Sequence, residues 1–300
     1  MERPHQSTSS ARLRCGLVTV LLALLGALFI GISDFLGAAA SRTASALTVS
    51  AVLQLVGLIV LAPIAAVLGA SALSAGAVGL GAVSGLITSV AIFGFFTVLA
   101  HGRIGVVLPV SAAVSAFLPA LAGVVGGNRL SGLALGGIAC ALAAIPLVAY
   151  EPEEGEDAPA GESWPVSRQV TLAGACGVGF GAYLICIGHT TTASGLWPTV
   201  ANLAVAAAVT VPVAMRAGEM PGPLATPRLA LLGGVAVGLA DTTLTTALQR
   251  GPLAVASVLA NLYPLVTIVL GVAVLGERVH PWHALGIALA LVGVSMIAAG

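Results

Sequence analysis

Apolar runs of about twenty residues, ten of them in succession, dictate what this chain of 300 residues can become. A helix needs roughly 20 apolar residues to cross a bilayer. The runs fall near residues 17–40, 45–68, 77–100, 104–125, 132–150, 168–188, 195–215, 228–249, 252–275 and 281–299. In lipid every backbone N–H and C=O must pair within its own segment or a closed barrel, and barrel strands would be about half this length. The expected fold is therefore an all-α polytopic membrane protein. Composition agrees: 58% of residues are hydrophobic and 7% charged, where soluble domains carry about a quarter charged.

The few charges are informative by position. Lysine is absent, so all 11 basic residues are arginine, and six of the 11 acids lie between Glu151 and Glu162. That acidic stretch, rich in Pro and Gly, reads as a solvated linker. Net charge is zero, and there is no basic patch to suggest a nucleic-acid partner. Cys15, Cys140, Cys176 and Cys186 form no C-x-x-C or Cys/His cluster, so no metal, redox pair or cofactor is expected. The first apolar run follows Arg12 and Arg14, but it is too long for a signal-peptide core of about 7–15 residues and reads as a retained span.

The two sides of the linker are related. A shift of 149 positions carries Gly102 onto Gly251 and Gly127-Asn128-Arg129 onto Gly276-Glu277-Arg278. The same shift superposes Gly137-Ile138-Ala139 on Gly286-Ile287-Ala288 and Thr43-Ala44-Ser45 on Thr192-Ala193-Ser194. Five spans on each side make the second copy upside down in the membrane. Such an inverted repeat places a site near the midplane, at the interface of the copies, in many secondary transporters. The boundaries expected are a tail over 1–16, a first repeat over 17–150, a linker over 151–167 and a second repeat over 168–300. Arg3, Arg12 and Arg14 before the first span favour cytoplasmic termini. Arg42, Arg103, Arg216, Arg228 and Arg278 would then lie outside.

Outside the linker, two acids lie within spans, Asp34 and Asp241. A charged side chain at the centre of a helix in lipid costs at least about 2.5–3.5 kcal/mol. Neighbours on the same faces are small: Gly37 and Ala38 beside Asp34, Gly234 and Gly238 beside Asp241. Small residues allow close helix packing, so both acids point into the bundle. There they either bind a proton or cation along a pathway or hydrogen-bond to another helix. Tyr183, 149 positions after Asp34, either donates to a solute or packs between helices. Asn261 and Tyr263 precede Pro264, which frees a backbone carbonyl; Pro109 and Pro119 hold the corresponding place in the fourth span. His101, His189, His280 and His283 sit at span ends, where interfacial contacts are expected. Glu277 and Arg278 read as shaping a turn.

With its two G-[EN]-R turns, each followed by a Gly-Ile-Ala helix, and Gly31-Ile32-Ser33-Asp34-Phe35-Leu36-Gly37 in the first span, the chain resembles the drug/metabolite transporter superfamily and its EamA-like members. The resemblance implies ten transmembrane helices in two inverted five-helix repeats. It also implies a central cavity lined mainly by the first, third, fourth, sixth, eighth and ninth spans. Asp34, Tyr183, Asp241, Asn261 and Tyr263 fall on such spans. The implied activity is transport, usually efflux across the bacterial plasma (inner) membrane, of an amino acid, metabolite or drug; protons as a coupling ion are suggested by the inward acids Asp34 and Asp241 and not by the resemblance. Asn128 departs from the acid usual in the first turn, and Asp34 lies about one turn later than the acid of the small multidrug relatives.

Three rivals are weighed against this. An intramembrane aspartyl protease needs two acids about 3 Å apart, whereas counting at 1.5 Å per residue puts Asp34 and Asp241 roughly 12 Å apart in depth. Its Tyr-Asp motif is also missing. A sugar-phosphate or nucleotide-sugar carrier of the same fold would need Lys or Arg in its cavity, and no arginine is mid-span. A non-transporting scaffold would not need inward acids in both halves.

Overall fold

In the computed structural model the described residues are 5–125, parts of 132–143, 164–220, 227–251, 253–275 and 281–299. All of their regular structure is helical. The helices are α1 (His5–Ala40), α2 (Ala46–Leu68), α3 (Ala75–His101), α4 (Ile104–Val125), α5 (Val166–Gly188), α6 (Trp197–Arg216), α7 (Arg228–Arg250), α8 (Leu253–Ala260), α9 (Tyr263–Leu275) and α10 (Pro281–Ala299). Six of them contain stretches long and apolar enough to cross a membrane: Leu17–Ala40 of α1, and α2, α3, α5, α6 and α7 over their whole lengths. Most of the expected fifth span, residues 151–163 of the expected linker and both G-[EN]-R turns lie outside the described residues, while Val166 and Ser167, expected in the linker, already belong to α5.

Two boundaries depart from the apolar pattern. Helix α1 starts at His5, well before its apolar run, because polar residues with adequate helix propensity continue it at no packing cost. The expected ninth span is two helices, broken at Asn261-Leu262. Pro264 has no N–H for the Ala260 carbonyl, so the ladder cannot run through this point. By contrast, α4 remains one helix through Pro109 and Pro119.

Local chemistry marks the other ends. The Ser45 and Ser74 hydroxyls accept from Thr48 N and Ala77 N, both at 3.1 Å, capping α2 and α3. Proline precedes α5 and α7 at Pro165 and Pro227, where a missing N–H leaves no bond unmade. Gly69, at φ 69°, ends α2 in a conformation that favours glycine.

Packing is between helices distant in sequence. Helix α1 lies against α7, α3 against α5 and α6, α4 against α5, α2 against α6 and α7, and α9 against α1. The approach is closest where a side chain is missing. A Cβ on Gly85 of α3 would lie 2.5 Å from the Asn202 carbonyl oxygen of α6. The buried core combines Phe95, Phe96, Val98, Leu53 and Val107, while Ile59, Val67, Val90 and Val274 are exposed. Exposed aliphatics of this kind face lipid in a membrane protein.

Candidate functional site

A central cavity of about 170 Å³ lies where α1, α3, α5, α7 and the α8–α9 break meet. Asp34, Tyr183, Asp241, Asn261 and Tyr263 all line it. The walls between them are largely apolar, including Ile30, Ile92, Phe180, Val237 and Leu244. Each polar group is thus held in surroundings that strengthen its electrostatic interactions.

The two acids are held differently. The Tyr183 hydroxyl donates to Asp241 Oδ1 at 2.9 Å, tying α5 to α7. Asp34 is buried, yet its carboxyl has no hydrogen-bond partner among the described residues. It faces the cavity with its acceptor capacity unused. Contacts along α1 and α7 set the spacing between them. Gly26 meets Thr243 and Leu244, and Gly233 meets Ser33 and Leu36. The helices run antiparallel, and Asp34 is level with residues near 234, about seven residues from Asp241. At 1.5 Å per residue the acids are roughly 10 Å apart in depth. They are two separate acidic positions in one cavity, and no proton-sharing dyad.

The helix break supplies the remaining predicted groups. Asn261 Nδ2 donates back to the Ser257 carbonyl at 2.7 Å, capping the end of α8. Tyr263 OH and Ser111 Oγ are 3.1 Å apart, linking α9 to α4. Thr267 Oγ1 donates to the Gly31 carbonyl at 3.0 Å, fixing α9 against α1. Two histidines at span ends contact carbonyls of their own helices: His101 Nδ1 lies 2.9 Å from Thr97 O and His189 Nδ1 2.7 Å from Ile185 O. His280 lies outside the described residues.

Sequence reasoning missed an amide side of the cavity. Gln54 of α2 and Asn202 of α6 also line it, as do Ser33, Thr88 and Ser115. Asn202 Nδ2 donates to Ser84 Oγ at 2.8 Å and Thr88 Oγ1 at 3.2 Å. Gln54 Oε1 accepts from Thr210 at 3.3 Å, while its Nε2 has no partner among the described residues. The second and seventh spans therefore extend the lining beyond the six spans that the resemblance implies. An isolated amide in an apolar span was the available signal.

Chemically, the cavity offers acceptors on one side, amide groups on another and apolar walls between. It has no arginine among its lining residues. It suits a small solute with a donor or cationic group, and either acid can also take a proton. Buried polar side chains meeting inside a bundle of helices long enough to span a membrane define a polytopic membrane protein with an internal, partly polar cavity.

Comparison with known proteins narrows this class. Residues 168–299 match the model of the EamA-like transporter family, so this region is similar to that family. The chain is a multi-pass membrane protein, and the family it matches is one of transporters, not enzymes. No curated protein matches the sequence. A solved structure described only as "Crystal structure of protein" is similar over 93% of this chain and 95% of its own length, with a TM-score of 0.67 and 18% identity. That likeness extends over both sides of the linker and concerns the fold alone.

Proposed function

We propose that the protein exports a small metabolite, amino acid or drug across the plasma membrane by alternating access around the central cavity, coupled to protons through Asp241 and Asp34. The observation that carries this reading is the convergence of five polar side chains, from both sides of the linker, on one otherwise apolar cavity beside a broken helix. Broken helices at a midplane cavity are how many secondary transporters present backbone and side-chain groups to solute.

The proposed frame is ten spans in two inverted five-helix repeats, 17–150 and 168–300, with both termini cytoplasmic. Helix contacts support it, because they come in exchanged pairs. The α1–α7 contact has its counterpart in α5–α3, α4–α5 in α9–α1, and α2–α7 in α6–α3. Rocking of one repeat against the other would open the cavity to each side in turn. Asp34, unpartnered, receives the solute's donor group or a proton. Asp241 exchanges the Tyr183 hydrogen bond for a proton or solute contact as the repeats move. Carriage of a phosphorylated solute is disfavoured by a cavity without Arg or Lys.

The test is reconstitution into vesicles and a panel of amino acids, metabolites and cationic drugs, with internal pH followed by a dye. Solute-dependent proton movement is expected in the wild type and its loss in Asp241→Asn and Asp34→Asn. Unchanged transport with unchanged pH dependence in both variants would remove the coupling role.

A further inference from the structure

A second cavity, of about 500 Å³, lies on the outside of the α3–α5 pair. Its lining is apolar and includes Val90, Phe93, Leu172, Ala175 and Val178. Val90, Phe93 and Val178 are exposed, so the groove opens outward from the bundle. Gly94 shapes its floor, since a Cβ there would lie 3.1 Å from Cys176 Sγ. Along α3 the lining runs from Ile87 to Val98, roughly 16 Å at 1.5 Å rise per residue. That is the depth of one leaflet of a hydrocarbon core about 30 Å thick.

One end of the groove is aromatic and cationic. The α3 terminus and the start of α5 meet there, joined by Trp164 N donating to the His101 carbonyl at 3.0 Å. Trp164 lines the groove and stacks on the His101 ring, with centroids 4.8 Å apart. The Arg168 guanidinium sits 3.8 Å from the centre of the Trp164 ring. Arg168 is exposed, and no ion pair holds it among the described residues, whose acids are Asp34, Glu219 and Asp241. Tryptophan and arginine at this level are the side chains that meet lipid headgroups. What covers an outward apolar groove on a membrane-spanning pair is lipid, and a cation at its mouth, with no ion pair among the described residues, selects for charge.

We infer that this groove is a binding site for one anionic phospholipid, with an acyl chain along α3–α5 and the phosphate against Arg168 beside Trp164. It is separate from the solute cavity and does not rest on the transport reading. Held there, a lipid would brace α3 against α5, two helices that also form walls of the central cavity.

The test uses the full chain with Trp197→Phe and Trp282→Phe, which leaves Trp164 as the sole reporter. It is reconstituted in phosphatidylcholine vesicles containing brominated phosphatidylglycerol or brominated phosphatidylcholine at equal mole fraction. Quenching of Trp164 should give a relative association about five-fold higher for the anionic lipid, the ratio for ~1 kcal/mol per basic residue near a membrane. Arg168→Gln should bring the ratio to about one, while Arg168→Lys keeps most of it. Ala175→Phe, which fills the groove and leaves Arg168 intact, should reduce quenching by both lipids. Equal quenching in the parent chain overturns the site, as does a preference that survives Arg168→Gln. So does a ratio of one that rises in Glu162→Gln, which would give Arg168 to the acidic linker.

Discussion

Asp34 and Asp241 line the same cavity but differ in what would be lost with each. Asp241 is tied to Tyr183 at 2.9 Å, so part of its carboxyl serves the fold. Hydrogen bonds to charged groups contribute about 1.5–3 kcal/mol. Tyr183→Phe and Asp241→Asn should therefore both lower the melting temperature of the purified protein as well as transport. Asp34 has no such bond among the described residues. Asp34→Asn should leave the melting temperature within about 1 °C, a shift below what ~1 kcal/mol produces, while transport falls. A large loss of stability in Asp34→Asn would assign that acid to the fold instead. Legibility at this scale follows the cost of the group. The acids stood out because charge in a span is expensive, and Tyr183 was reached through the 149-residue repeat. Gln54 and Asn202 were passed over because a neutral amide among apolar residues is also a common interhelical bond.

At the scale of elements, the feature that matters most is the gap between α8 and α9. Its cause was visible in Pro264, but apolar counting over 252–275 gives one continuous span. Hydropathy records whether a segment suits lipid and says nothing of where its ladder is interrupted. Pro264→Ala restores the missing N–H and should lengthen helix through Asn261-Leu262. The variant should be at least as stable as the wild type in thermal unfolding and transport poorly. Wild-type transport in Pro264→Ala would mean the break has no part in the cycle. Packing has its own test at Gly85, whose Cβ would meet the Asn202 carbonyl oxygen at 2.5 Å. Gly85→Val forces α3 from α6, and overpacking of this kind typically costs about 1–3 kcal/mol. It should lower the melting temperature and the yield of folded protein, and also disturb Asn202 in the cavity wall.

For the whole molecule, the all-helical membrane architecture was plain from run length, while the partnership of helices was not. Nothing in the apolar faces of α1 says that its main neighbour is α7. Both are apolar around most of their circumference, so periodicity selects no partner. The 149-residue shift is the better guide, since the main contacts come in exchanged pairs under it. If the two halves rock, the α1–α7 contact must change during transport. Gly26 and Leu244 provide the means to arrest it, because their Cβ positions would be 3.3 Å apart, near the separation of a disulfide. Gly26→Cys with Leu244→Cys should stop transport when oxidised and regain it with reductant. Transport that continues through the oxidised pair would exclude relative motion of α1 and α7.

The central claim is that the cavity between the two halves is where solute binds. The most direct measurement is counterflow exchange of a transported solute in vesicles, for the wild type, Asp34→Asn, Asp241→Asn and the lipid-facing control Ile59→Ala. Loss of one charged contact of about 1.5–3 kcal/mol corresponds to roughly 10–100-fold. Exchange slowed by at least ~10-fold in both acid variants, with Ile59→Ala unchanged, is the predicted result. Wild-type exchange in both acid variants would contradict the account and place the solute elsewhere.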